Sequence, residues 1–272
     1  MLRQELLIAR VRALCERDPR VVSALMYGSF ARGEGDEHSD VEFYVFLPTA
    51  DLADLDREAW LREVAPLDAC FENEYGTTVV FFEGLLRGEF HFEDAATVPR
   101  VREWRSLDGA ADPGRMLLVD RTGALASALE AAAELGPRAP SRELAQSLVD
   151  RLLNWLVLGS SVLRRGELAR AHDALSHVLC HLLWLARLQE GALQHWATPS
   201  RALEADVGEA TLERYRRCTA ALEAGALRTA YAEAWRFGGE LAEAAARAFG
   251  CDPRAPLFAA STRQAGPVRP SA

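Results

Sequence analysis

The chain has 272 residues, 49% of them hydrophobic and 26% charged, which excludes chain-wide disorder and leaves enough length for a buried core. Acidic side chains outnumber basic ones by 40 to 31, a net charge of −9. This argues against a nucleic-acid binder or a protein held on an anionic membrane, both of which need a basic face. All 31 basic residues are arginine, so a phosphate contact must use guanidinium forks, backbone N–H groups or a metal ion. The five cysteines, Cys15, Cys70, Cys180, Cys218 and Cys251, are widely spaced and contain no CxxC pair. That pattern points to a reducing cytoplasm rather than to a disulfide framework or zinc site. The N-terminal MLRQELLIARVRAL interleaves charged and apolar residues and lacks a secretory core. The longest apolar stretches, near 152–163 and 174–188, fall short of the ~20 residues a membrane span needs.

In chain order, residues 2–17 read as a helix, with Leu7, Val11 and Leu14 at helical spacing and Asp18-Pro19 ending it. VVSALMY, residues 21–27, suits a buried strand. A polar, Gly-rich stretch follows, and then VEFYVFLP, in which Val41, Phe43, Val45 and Leu47 alternate with Glu42, Tyr44 and Phe46. That alternation predicts a two-faced strand. A helix is expected over 54–64, strands over 77–83, 87–93 and 116–120, and a helix over 123–135. After Gly136-Pro137-Arg138-Ala139-Pro140 the strand patterns disappear. Helices are expected over 141–165, 167–190, 199–206, 210–224 and 227–249, the first capped by Ser141. The fold class is therefore α+β: a sheet domain over 1–136 followed by an all-α helical bundle over 141–250. Residues 252–272 carry four prolines and few large apolar groups, and read as a disordered tail.

Chemistry concentrates between Met26 and Tyr44. A buried strand ends at Gly28-Ser29; glycine lets a backbone approach closely, and the Ser29 hydroxyl suits a phosphate oxygen. Arg32 adds a planar fork of donors nearby. Ten residues separate Ser29 from Asp40, and Asp40 and Glu42 stand two apart on one strand face. Two such carboxylates repel unless a cation neutralises them, and their hard oxygens suit Mg²⁺. The third carboxylate should come from a neighbouring strand. Glu89, in Arg87-Gly88-Glu89-Phe90-His91, is the candidate, as third ligand, general base or both. Gly88 marks a bulge or a close approach, and His91 shares a face with Glu89.

Gly28-Ser29 followed by Asp40-Val41-Glu42 resembles the polymerase-beta type of nucleotidyltransferase. LMYGSFARGEGDEHSDVEFYVF, NEYGTTVVFFEGLLRGEFHF and VLRRGELARAHDALS resemble the two-domain lincosamide nucleotidyltransferases. The resemblance runs over most of 1–250 and is weaker in the bundle. It implies a polymerase-beta-like catalytic domain, a helical bundle for acceptor binding and dimerisation, and a homodimer. It implies transfer of AMP from ATP, or of another nucleoside monophosphate, to a hydroxyl of lincomycin or clindamycin with release of pyrophosphate. Asp40 and Glu42 match the family's metal-binding carboxylates, Glu89 its third acidic residue, and Gly28, Ser29 and Arg32 its nucleotide loop. One or two Mg²⁺ ions would serve as cofactor.

Two other readings stay open. A net charge of −9 suits a polycationic acceptor, as in an aminoglycoside adenylyltransferase. A catalytically silent, nucleotidyltransferase-like interaction module belongs to a different class, but it has no need of metal carboxylates. Arg164, Arg165 and Arg170 are candidates either for phosphate contact or for a helix end favoured by its dipole. His177 and His181, four apart amid apolar residues, read as packed bundle histidines rather than a metal pair.

Overall fold

The structure, a computed structural model, describes residues 1–104, 107, 109 and 111–264, the last four as backbone only. The described residues up to Pro137, apart from Leu107, make one compact unit, and Leu107 with the residues from Arg138 a second. The first opens with α1 (Arg3–Arg17), β1 (Ser23–Tyr27), α2 (Gly28–Arg32) and β2 (Val41–Leu47). Then come α3 (Thr49–Ala53), α4 (Arg57–Arg62), β3 (Leu67–Glu72), β4 (Thr78–Phe82) and β5 (Leu86–Asp94). A 3₁₀ segment over Ala95–Glu103, α5 (Pro113–Met116), β6 (Leu117–Asp120) and α6 (Ala124–Leu135) complete the unit.

The six strands form one mixed sheet in the order β3-β4-β5-β2-β1-β6. β2 and β5 run parallel and the other neighbours antiparallel. Alternation assigns the faces: Val41, Phe43 and Val45 are buried in one core with Leu7, Val11 and Leu14 of α1 and with Trp60, Phe90 and Leu125. Glu42 and Tyr44, pointing the other way, are half-buried. Asp120 ends β6 and caps α6: its Oδ1 accepts from Gly123 N at 2.9 Å and its Oδ2 from Ala126 N at 2.9 Å.

Three departures from the sequence reading have local causes. The helix expected over 54–64 is shorter, α4 over Arg57–Arg62, because Asp56 caps its start by accepting from Ala59 N at 2.9 Å. Strand β3 was not expected; it is an edge strand, paired only with β4, and its half-exposed side chains carry no clear alternation. Gly28–Arg32 is a short helix rather than a loop. Gly88 marks a close approach and no bulge: its pairing is continuous on both sides, and a Cβ there would lie 3.0 Å from Val80 Cγ1.

The second unit is α7 (Arg142–Arg164), α8 (Leu168–Glu190), α9 (Leu203–Asp206), α10 (Glu209–Arg217), α11 (Ala224–Phe249) and α12 (Ala255–Gln264). Ser141 caps α7 by accepting from Leu144 N at 3.2 Å. Tyr231 of α11 crosses α7 at Gly159, where a Cβ would lie 1.9 Å from its hydroxyl, and donates to Ala171 O at 2.7 Å. His177 stacks on Trp155 at 3.9 Å, and His181 bonds the His177 carbonyl at 2.7 Å. Both histidines are thus engaged in bundle packing. Among the described residues no helix is long and apolar enough to cross a membrane, and all five cysteines are free.

The expected disordered tail over 252–272 needs correction. Part of it is α12, and Phe258 is buried against Trp235, with ring centroids 5.6 Å apart. Phe258 fits there because Gly238 and Gly239 leave a notch on α11. Arg254 ties the entry down through Asp150 at 3.0 Å. Pro256 stands in the first turn of α12, where a proline removes no helical hydrogen bond, so the proline count misled. Residues 265–272 lie outside the described residues.

A buried cation organises the segment after α8. Arg187 has no exposed side-chain surface and donates to Pro199 O at 2.8 Å, Ala192 O at 3.1 Å, Arg201 O at 2.6 Å and Asp206 Oδ2 at 2.8 Å. Burial alone would raise the Asp206 pKa; hydrogen bonds from His195, Arg187 and Gln194 outweigh it and hold the carboxyl below its usual value. A carboxyl depressed in the folded state stabilises above its unfolded pKa and loses that contribution as pH falls through the folded pKa. Arg187→Met should cost about 3–5 kcal/mol at pH 7 in urea unfolding. The deficit against wild type should shrink below about pH 4 as Asp206 protonates.

Candidate active site

The site forms where β1, β2 and β5 end side by side. Antiparallel pairing sets Tyr27 opposite Glu42, and parallel pairing sets Glu42 beside Glu89. Three polar side chains therefore form a row across three strands, on the face away from Val41 and Phe43. The chain leaves β1 through Gly28, whose φ of +72° lies in the left-handed region. The glycine is required twice over, because a Cβ at position 28 would lie 1.3 Å from Glu42 Oε2. The Glu42 carboxylate occupies the place of the missing side chain.

Ser29 follows Gly28 in the first turn of α2. It is 6% exposed, and its Oγ has no hydrogen-bond partner among the described residues. A buried hydroxyl without a partner is costly; Ser23 Oγ in β1 shares this state. Arg32 closes α2, half-buried. Phe30 packs over Gly35, and the Arg115 guanidinium lies over Gly33, where Cβ atoms would meet them at 2.5 Å. The loop before β2 is further fixed by Gln4, buried on α1, which donates to Glu37 O and Ser39 O at 3.0 Å each.

Asp40 stands one residue before β2. Its Oδ2 accepts from Arg87 Nη1 at 2.5 Å, and Arg87 Nη2 donates to Glu89 Oε1. The sequence reading had the three carboxylates converging directly on a metal. Here Asp40 and Glu89 meet through Arg87, and among the described residues no group of three His, Cys, Asp or Glu side chains is arranged to hold an ion. Burial alone would lower the Arg87 pKa; the bond to Glu89 and the charges of Glu89 and Asp40 raise it instead. The other Glu89 oxygen accepts from the Tyr27 hydroxyl at 3.2 Å, and His91 Nε2 lies 3.0 Å from the same hydroxyl. Burial and the charges of Glu42 and Glu89 push the phenol far above its usual pKa, so Tyr27 keeps its proton. Burial holds His91 below the usual histidine value, although Glu89 and Glu93 oppose this. A neutral His91 donating from Nε2 to the phenol oxygen satisfies all three groups.

Around this network lies an aromatic wall. Tyr44 stacks on His91 at 4.2 Å and meets Trp104 at 4.6 Å. Arg87, Tyr27 and Gln4 escaped the sequence reading. A signal existed for Arg87, which shares the face of Glu89 at i−2, and for Gln4, the one polar residue on the apolar face of α1.

A short helix entered through a positive-φ glycine follows β1, and carboxylates stand on the strands beside it. Residues 10–78 match the nucleotidyltransferase domain family. Residues 141–255 match the lincosamide nucleotidyltransferase-like C-terminal domain. Among solved structures it is similar to an aminoglycoside 6-adenyltransferase from Bacillus subtilis, at 9% identity and a TM-score of 0.44 over 96% of this chain and 97% of the other. It is also similar to a nucleotidyltransferase-like protein from Exiguobacterium sibiricum, at 12% identity and a TM-score of 0.40 over 90% and 77%. Comparison with curated proteins gives no match.

Gly28→Ala should be much worse than Gly76→Ala. Both glycines have positive φ, but nothing lies within 4 Å of a Cβ at Gly76. The clash with Glu42 should cost Gly28→Ala about 1–3 kcal/mol more in denaturant unfolding.

Proposed function

We propose that the protein transfers a nucleoside monophosphate, AMP from ATP, to a hydroxyl of a lincosamide antibiotic. The observation that carries this reading is the Gly28–Glu42 cradle with the buried, unpartnered Ser29 hydroxyl beside it. The lincosamide acceptor is supported by the match of residues 141–255.

The donor set suits a hard divalent cation, since Asp40, Glu42 and Glu89 offer only carboxylate oxygens. When bound there, one or two Mg²⁺ ions supply neutralising charge for the triphosphate and the leaving pyrophosphate. The residues perform the rest. Ser29 Oγ donates to a phosphate oxygen, and Arg32 binds the phosphate tail. Glu89 accepts the proton of the acceptor hydroxyl as that oxygen attacks the α-phosphorus and the bond to pyrophosphate breaks. Tyr27 holds Glu89 in place without competing for that proton, because its own phenol stays neutral. The bundle, 141–250, binds the acceptor and supports a homodimer in this reading. A cytoplasmic site agrees with the five free cysteines.

The test is incubation with Mg²⁺ and ATP, separately with lincomycin, clindamycin and a panel of aminoglycosides. Pyrophosphate release and acceptor mass are the readouts. A lincosamide should gain one AMP. Asp40→Asn and Glu89→Gln should each lower the rate by about 10²–10⁴-fold. Modification of an aminoglycoside instead would overturn the acceptor, a class that the net charge of −9 also suits. Failure to bind ATP with Mg²⁺ would leave a silent interaction module.

A further inference from the structure

We propose that Arg87 is the resident counter-cation of the active site: it holds Asp40 and Glu89 together before a divalent cation arrives, and the cation enters by displacing it. This inference rests on the nucleotidyl-transfer reading above.

The geometry is specific. One guanidinium nitrogen bonds Asp40 Oδ2 and the other bonds Glu89 Oε1. An arginine paired with one carboxylate commonly uses both forks on it. Arg87 instead spreads its fork over two carboxylates from different elements, 47 and 2 residues away. The rigid plane of the fork thereby sets the spacing of the two acids. Without a cation between them, two carboxylates on adjoining strand ends would repel and swing apart. With it, they stay aimed at one point.

The bridge is also built to open. Its side chains are 38%, 35% and 21% exposed for Arg87, Asp40 and Glu89, and half-exposed ion pairs are weak. A guanidinium does not deprotonate at any working pH, so at such pH the bridge opens when another ion takes the place of one of its partners. Space to receive the guanidinium lies alongside: a cleft of about 730 Å³ is lined by Gln4, Ser39, Asp40, Leu86 and Arg87. The strand beneath stays fixed throughout, because Gly88 and Glu89 remain in register with Val41 and Glu42.

A merely structural ion pair and a displaceable counter-cation give opposite results on metal binding. The test titrates Mn²⁺ alone into the nucleotide-free full chain, with free Mn²⁺ read by electron paramagnetic resonance and melting temperature followed in parallel. Arg87→Gln should bind Mn²⁺ about fivefold more tightly than wild type. It should melt lower than wild type in EDTA and gain more from Mn²⁺. Arg87→Lys, which keeps a charge but loses the fork, should fall between the two and covers the case in which the glutamine variant does not fold. Asp40→Asn should lose the tighter binding when combined with Arg87→Gln. Equal or weaker Mn²⁺ binding by both Arg87 variants would overturn the proposal. If wild type binds Mn²⁺ with ATP in that case, the nucleotidyl-transfer reading survives. If it binds neither Mn²⁺ nor Mn²⁺ with ATP, both fall together.

Discussion

Glu42 fills the volume that a side chain at position 28 would need, and the site is arranged around that substitution of one group for another. The left-handed Gly28 then turns the chain so that Ser29 faces inward beside the acid. No other residue type satisfies both demands, since any Cβ collides with Glu42 and also disfavours the positive φ. The β1 to α2 junction is therefore a packing constraint.

Electrostatic order is layered on this steric base. Each oxygen of Glu89 is assigned, one to Arg87 and one to Tyr27. Tyr27 is kept protonated by burial and by the acids it touches, and His91 is kept neutral by burial. The row thus mixes one permanent cation, one permanent proton donor and carboxylates.

The sequence made the strongly patterned parts legible. Leu7, Val11 and Leu14 announce α1, and the alternation from Val41 to Leu47 announces β2. Gly28-Ser29 and Asp40-x-Glu42 stand out because chain neighbours alone define those motifs. Glu89 required a guess about pairing, and its partners Arg87 and Tyr27 required knowing it: the Tyr27–Glu89 bond spans 62 residues. Strand β3 was invisible because an edge strand with half-exposed side chains has no pattern to read. The tail was misjudged because prolines were counted without their positions, whereas one aromatic ring in a glycine notch decides its order.

The unbroken register of β2 and β5 has an evolutionary consequence. Their seven pairs run from Val41–Gly88 to Leu47–Asp94 without irregularity, while β1–β6 and β3–β4 each contain a register shift. A one-residue deletion within either central strand would turn Glu42 or Glu89 into the apolar layer and put a phenylalanine or valine in its place. The connection before β3, residues 48–66, is under no such restriction, whereas β4 shares it through its own unbroken pairing with β5. Length variation in descendants of this protein can therefore accumulate in that connection and at the outer strands, while the two central strands can change only by replacement, residue for residue.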